Sequence, residues 1–81
     1  MKIEISGTGC ARCMQLYENS IAAASFFKDD SRFEIVKVGD VKYFARMGVF
    51  MTPGLIIDGE LISTGKLLSP EEIRNKIEEK L

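Results

Sequence analysis

Two cysteines, Cys10 and Cys13, are the residues of this 81-residue sequence whose type and spacing most directly suggest chemistry. Disulfide exchange needs one thiolate that attacks and a second thiol close enough to resolve the mixed disulfide. The segment Cys10-Ala11-Arg12-Cys13 provides both. The sequence has no histidine, so Cys–His nucleophilic catalysis and histidine-containing zinc sites within one chain are excluded. Thiol–disulfide exchange is therefore the favoured hypothesis.

The same two thiols are compatible with other uses. Thiolates are soft ligands that suit a linear copper(I) site, or a zinc ion if two chains share it. Cysteines also pack as small apolar side chains without reacting. A structural disulfide is a weaker interpretation, because cysteines three residues apart close too short a loop to hold a fold together.

The element that follows the cysteines would make them unequal. Apolar residues recur every three or four positions from Arg12 to about Lys28, which predicts a helix. Its predicted buried face includes Met14, Tyr17, Ile21 and Ala24. Cys10 then lies at the helix N-terminus, where free backbone N–H groups and the helix dipole stabilise a thiolate. We therefore assign Cys10 as the nucleophile and Cys13 as the resolving thiol, with Arg12 adding a modest positive charge.

Patterning and turn residues mark the other elements. Strands are predicted over Lys2–Ser6 and Phe33–Val38, and a short helix over Val41–Met47, between Asp40 as N-cap and Gly48.

The C-terminal half adds a hairpin and a helix. Asp58-Gly59 predicts a tight turn between strands at Leu55–Ile57 and Leu61–Ile62. Ser69-Pro70-Glu71-Glu72 begins the last helix with a capping box, and its predicted inward residues are Ile73, Ile77 and Leu81. This order predicts one α/β domain over residues 1–81, with the first two strands parallel. Cysteines after the first strand lie at the carboxyl edge of the sheet, where α/β proteins place their ligands.

Thr52-Pro53 is a second signal, within the unusually apolar loop Val49-Phe50-Met51-Thr52-Pro53-Gly54. Proline cannot donate to a β-ladder and is tolerated at the first residue of a strand, and X-Pro bonds have a sizeable cis population. An ordinary trans proline before a strand is the alternative. Residues 49–51 are interpretable as ordinary core.

The segments GTGCARCMQL and TPGLIIDGEL, with this order of elements, resemble the thioredoxin/glutaredoxin superfamily, and most closely its small archaeal and bacterial redox-active disulfide proteins. The resemblance implies a thioredoxin-like βαβαββα fold, with a four-stranded mixed sheet of order 2-1-3-4 and helices on both faces. The chain has Gly9 where thioredoxins carry tryptophan and Ala11-Arg12 where they carry Gly-Pro, so no particular reduction potential is implied.

The resemblance also implies roles for individual residues. Pro53 would be cis and face Cys10 and Cys13, and the Thr52 backbone would pair with a bound peptide or thiol substrate. Val49, Phe50 and Met51 would form an apolar rim for partners. Glu4, six residues before Cys10, would accept a proton from Cys13, whereas a solvated acid on a strand is the alternative.

Composition limits the partners. Eleven basic and twelve acidic residues give a net charge of −1, which favours neither nucleic acid nor an anionic membrane. The polar start at Met1–Gly7 does not resemble a signal peptide, and we expect a cytoplasmic monomer without membrane insertion. The expected partners are a protein or small-molecule disulfide substrate and an unidentified thiol reductant, and no cofactor is expected.

Two rival functions remain. One is a copper or zinc carrier similar to heavy-metal-associated domains, which also place Cys-x-x-Cys between a first strand and a first helix. Those domains end on a strand and carry a methionine close before the first cysteine, whereas this chain has Gly7-Thr8-Gly9 and a capped C-terminal helix. The other is a binding or regulatory module that keeps the site without turnover.

Overall fold

The computed structural model describes residues 1–7, 11–27, 32–49 and 51–81. The order of elements is the predicted one, with bounds β1 Lys2–Ser6, α1 Ala11–Ala24, β2 Glu34–Val38, α2 Val41–Arg46, β3 Gly54–Ile57, β4 Glu60–Thr64 and α3 Pro70–Lys80. Within those ranges no helix has both the length and the apolarity that a membrane span requires.

The strands form one mixed sheet of order β2-β1-β3-β4, as predicted. β1 runs parallel to β2 and antiparallel to β3, so Ile3 lies between Ile35 and Ile57. β3 and β4 form the predicted hairpin, in which Asp58 and Gly59 both have positive φ, 48° and 80°.

Helices cover both faces of the sheet. On one face α1 and α3 pack over the strands, and the buried cluster consists of Ile3, Ile5, Leu16, Ala23, Leu55, Ile57, Leu68, Ile73 and Ile77. On the other face α2 contributes to a smaller cluster of Phe44, Val49 and Ile56. β1 is consequently buried on both sides from Ile3 to Ser6, so its polar residues Glu4 and Ser6 are buried as well.

α1 is shorter than the apolar pattern predicts, and its buried face is narrower. The helix ends at Ala24, where the Ser25 hydroxyl donates to the Ala22 carbonyl at 2.6 Å and the next two N–H groups bond three residues back. The buried residues are Cys13, Leu16, Ser20, Ala23 and Ala24. Met14 and Ile21, predicted on the buried face, are about half exposed because they lie beside this stripe rather than on it.

The capping predictions are confirmed for α2 and α3. The Asp40 carboxylate accepts from the N–H groups of Lys42 and Tyr43, and Ser69 and Glu72 form the capping box. Leu81, predicted to face inward, follows the end of α3 and is exposed.

Replacing Leu16 by Ala should lower the free energy of unfolding by about 2–5 kcal/mol, because a fully buried side chain on α1 would leave a cavity. Met14→Ala, on the same helix but 47% exposed, is the matched control and should cost under about 1 kcal/mol. Urea unfolding followed by circular dichroism measures both. Equal losses would contradict the assigned orientation of α1.

Candidate active site

Cys13 lies in the first turn of α1, and its side chain is buried at 2% exposure. The end of β1 packs directly on it: a Cβ atom added to Gly7 would lie 2.3 Å from the Cys13 Sγ and 2.5 Å from its Cβ. Only glycine fits there. Cys10 lies outside the described residues; α1 begins at Ala11, the residue after it.

The proline loop reaches the same edge of the sheet. The Thr52–Pro53 peptide bond is cis, as the resemblance implies. Pro53 is fully buried, while Thr52 is exposed. The next residue, Gly54, donates its N–H to the Ser6 Oγ at 2.6 Å. Because Ser6 and Gly7 are consecutive, the loop and Cys13 are both attached to the end of β1.

The three predicted rim residues have different environments. Met51 is 67% exposed, and its N–H and carbonyl both bond the Thr64 hydroxyl, at 3.4 and 2.9 Å. Val49 is 7% exposed and packs with Phe44 and Ile56, so its assignment to an exposed rim is wrong; it belongs to the core beneath α2. Phe50 lies outside the described residues.

Arg12 makes a contact that its sequence position did not predict. Its Nη2 donates to the carbonyl oxygen of Gly65 at 3.0 Å. The Gly65 N–H in turn donates to the Pro53 carbonyl at 2.8 Å. Nothing in the sequence indicated a role for Gly65 in the site; its positive φ of 72° is typical of a turn glycine and does not by itself reveal these contacts.

Glu4 is buried, on the α2 side of β1, and is not a solvated strand acid. The Tyr43 hydroxyl donates to its Oε1 at 3.0 Å. This hydrogen bond, followed by burial and by repulsion between the phenolate and Glu4, raises the pKa of Tyr43, while the charge of Arg46 acts weakly in the opposite direction. Tyr43 was missed by sequence reasoning because nothing in a short amphipathic helix marks a partner on a distant strand.

Glu4 is separated from the cysteine by part of β1. It precedes Gly7 by three residues, which corresponds to about 10 Å along an extended chain. A proton passing between Glu4 and Cys13 would therefore require an intermediate carrier such as water.

Within the described part of the chain, no group of three or more cysteine, aspartate or glutamate side chains is placed so that it could hold a metal ion. The last element is the helix α3, whereas the metal-carrier alternative is associated with an order that ends on a strand.

A buried cysteine and a cis-proline loop that are both held at the end of β1, in a sheet of this order, are the arrangement of a thioredoxin-like protein. The family model of the thioredoxin domain matches residues 1–78. A thioredoxin of Methanothermobacter thermautotrophicus is 40% identical over 74 residues, covering 91% of this chain and 94% of that protein. A thioredoxin of Methanocaldococcus jannaschii is 44% identical over 75 residues, covering 93% and 84%.

The chain therefore belongs to the thioredoxin domain family, as the sequence motifs predicted. It is a thiol–disulfide oxidoreductase.

The Glu4–Tyr43 contact predicts an alkaline titration. In a Tyr17→Phe variant, Tyr43 is the only tyrosine, and its absorbance at 295 nm should titrate with a midpoint above the ordinary value of about 10. Adding Glu4→Gln should lower that midpoint, and adding Arg46→Gln should raise it. Because the folded-state pKa is raised, this contribution to stability is present below pH ~10 and is lost as the pH rises through the folded value. Identical midpoints with and without Glu4 would contradict the contact.

Proposed function

We propose that this protein exchanges disulfides through Cys10 as nucleophile and Cys13 as resolving thiol. The observation that carries the proposal is the position of Cys13, buried in the first turn of α1 against Gly7 at the sheet edge that also holds the cis-proline loop. A buried thiol is not accessible for the first exchange with a large substrate disulfide, but it can attack the mixed disulfide that a neighbouring cysteine forms with that substrate.

The start of α1 supports the role of Cys10. The helix begins at Ala11 and is 14 residues long, and its first turn contains no acidic residue that would offset the positive end of the dipole. A thiol at this position is stabilised as the thiolate. The start of the helix therefore favours Cys10 as the attacking thiol.

The reaction consists of two exchanges. The Cys10 thiolate attacks one sulfur of the substrate disulfide; a Cys10–substrate disulfide forms, and the other substrate sulfur leaves as a thiolate that takes up a proton. Cys13 then loses its proton and attacks the Cys10 sulfur, and the second substrate sulfur leaves as a thiolate that also takes up a proton. The protein is oxidised by two electrons to the Cys10–Cys13 disulfide, the substrate is reduced to two thiols, and an external thiol reductant restores the dithiol.

The substrate is a protein disulfide, and the proline loop supplies its binding edge. Thr52 is exposed next to the fixed Pro53, so its backbone is available to pair with an extended peptide, and the exposed Met51 adds apolar contact. A net charge of −1 provides no long-range steering of an oppositely charged partner. The protein acts as a single-domain monomer in the cytoplasm.

Glu4 accepts the proton that Cys13 loses, through water. Its carboxylate is buried on the strand whose end contacts Cys13, and Tyr43 fixes its position. A general base of this kind accelerates the second exchange and not the first.

The cysteine roles predict different products from two variants. With the aromatic disulfide dithiobis(nitrobenzoate) as substrate, wild-type protein should release thionitrobenzoate in two phases, one for each exchange. Cys13→Ser should release only the first and keep a mixed disulfide on Cys10, whereas Cys10→Ser should react slower by on the order of 100-fold because its remaining thiol is buried. Stopped-flow absorbance and mass spectrometry measure both. Cys10→Ser reacting at the wild-type rate would reverse the assignment, and the absence of a reversible Cys10–Cys13 disulfide in dithiothreitol buffers would refute the proposal.

Glu4→Gln should slow the second phase by at least about tenfold and leave the first unchanged, measured from pH 6 to 9. Glu34→Gln is the matched control, because Glu34 is an exposed acid on the neighbouring strand. An unchanged second phase in Glu4→Gln across that range would remove Glu4 from the mechanism.

A further inference from the structure

We infer that Arg12 is a positioning residue that holds the proline loop at a fixed distance from the start of the redox helix, acting through the backbone of Gly65. The inference rests on the proposed function, because it concerns the alignment of a substrate between Cys10 and Thr52. It differs from the sequence-based interpretation of Arg12, in which only its charge mattered.

Three hydrogen bonds join the proline loop to the end of β4. Thr64 bonds both backbone groups of Met51 through its hydroxyl, and the Gly65 N–H donates to the Pro53 carbonyl at 2.8 Å. The loop and the Thr64–Gly65 segment therefore form one hydrogen-bonded unit.

Arg12 connects this unit to α1. Its guanidinium donates to the carbonyl oxygen of Gly65 at 3.0 Å, while the N–H of that residue donates to Pro53. Gly65 is suited to this position because its φ is +72° and because a Cβ atom there would lie 3.1 Å from the Met51 Cβ. A chain of two hydrogen bonds thus runs from Arg12, between the cysteines in sequence, to the carbonyl of the cis-proline.

α1 makes a second hydrogen bond to the segment that follows β4. Asn19, about two helical turns after Arg12, donates its Nδ2 to the Leu68 carbonyl at 2.9 Å. α1 therefore fastens the segment 65–68 at both ends. Among the described residues, only the Arg12 end of the segment is hydrogen-bonded onward to Pro53, so Asn19 is an internal comparison that shares the contact type but not the connection to the site.

The consequence depends on substrate size. A protein disulfide that reacts at Cys10 while pairing with Thr52 needs both groups in register, and small misplacements of reacting groups slow such reactions strongly. A small disulfide that touches Cys10 alone needs no such register. A charge effect of Arg12 would act through the thiolate and slow both substrates alike.

The test compares kcat/KM of Arg12→Met for insulin, as the protein disulfide, and for bis(2-hydroxyethyl) disulfide, as the small one, with dithiothreitol as reductant. Positioning predicts a loss of about tenfold for insulin, a change below about twofold for the small disulfide, and an unchanged pKa of the Cys10 thiol measured from alkylation rates. The matched variant Asn19→Ala should leave the ratio of the two substrates at its wild-type value.

Equal slowing of both substrates with a raised thiol pKa would replace positioning by charge, and no change with either substrate would also overturn the inference. An equal shift of the ratio in Asn19→Ala would reduce Arg12 to general support of the segment and overturn it too. Wild-type protein that reduces neither disulfide would instead refute the proposed function, so the two failures are distinguishable.

Discussion

The contact between Gly7 and Cys13 is the constraint on which the site depends. A side chain at position 7 would overlap the Cys13 sulfur, so the backbone that follows β1 packs directly against the first turn of α1. β1 is also hydrogen-bonded to a neighbouring strand on both edges and is buried on both faces from Ile3 to Ser6. The Cys13 sulfur is thereby held against the end of a strand in the sheet interior, and a regular element positions a functional group more precisely than a loop does.

Burial of β1 on both faces creates a second requirement, because its polar residues need partners. Tyr43 satisfies Glu4, and the Gly54 N–H satisfies the Ser6 hydroxyl oxygen. Both partners come from elements that flank the proline loop, α2 before it and β3 after it. A hydrogen bond that satisfies a buried polar group of β1 therefore also determines the geometry of the site, because the bond to Ser6 fixes the position of Gly54, the residue after Pro53.

The sequence predicts what depends on neighbours along the chain. Turn chemistry at Asp58-Gly59 and the caps at Asp40 and Ser69 follow from a few adjacent residues, and the resemblance adds the cis peptide before Pro53. The contacts Arg12–Gly65 and Glu4–Tyr43 join residues 53 and 39 positions apart, and no local pattern encodes them. Val49 and Met14 were misplaced because apolar side chains occur both inside proteins and on their surfaces, and composition alone does not separate the two.

The place of β1 in the chain has a consequence for folding kinetics. β1 is one of the two inner strands of the sheet and the first in sequence, and its hydrogen bonds with the hairpin turn, between Lys2 and Asp58, join residues 56 positions apart. The β3–β4 hairpin, in contrast, closes across two residues. Because loop-closure entropy opposes distant contacts, we expect the hairpin to form early and β1 to dock late, which places assembly of the redox site at the end of folding.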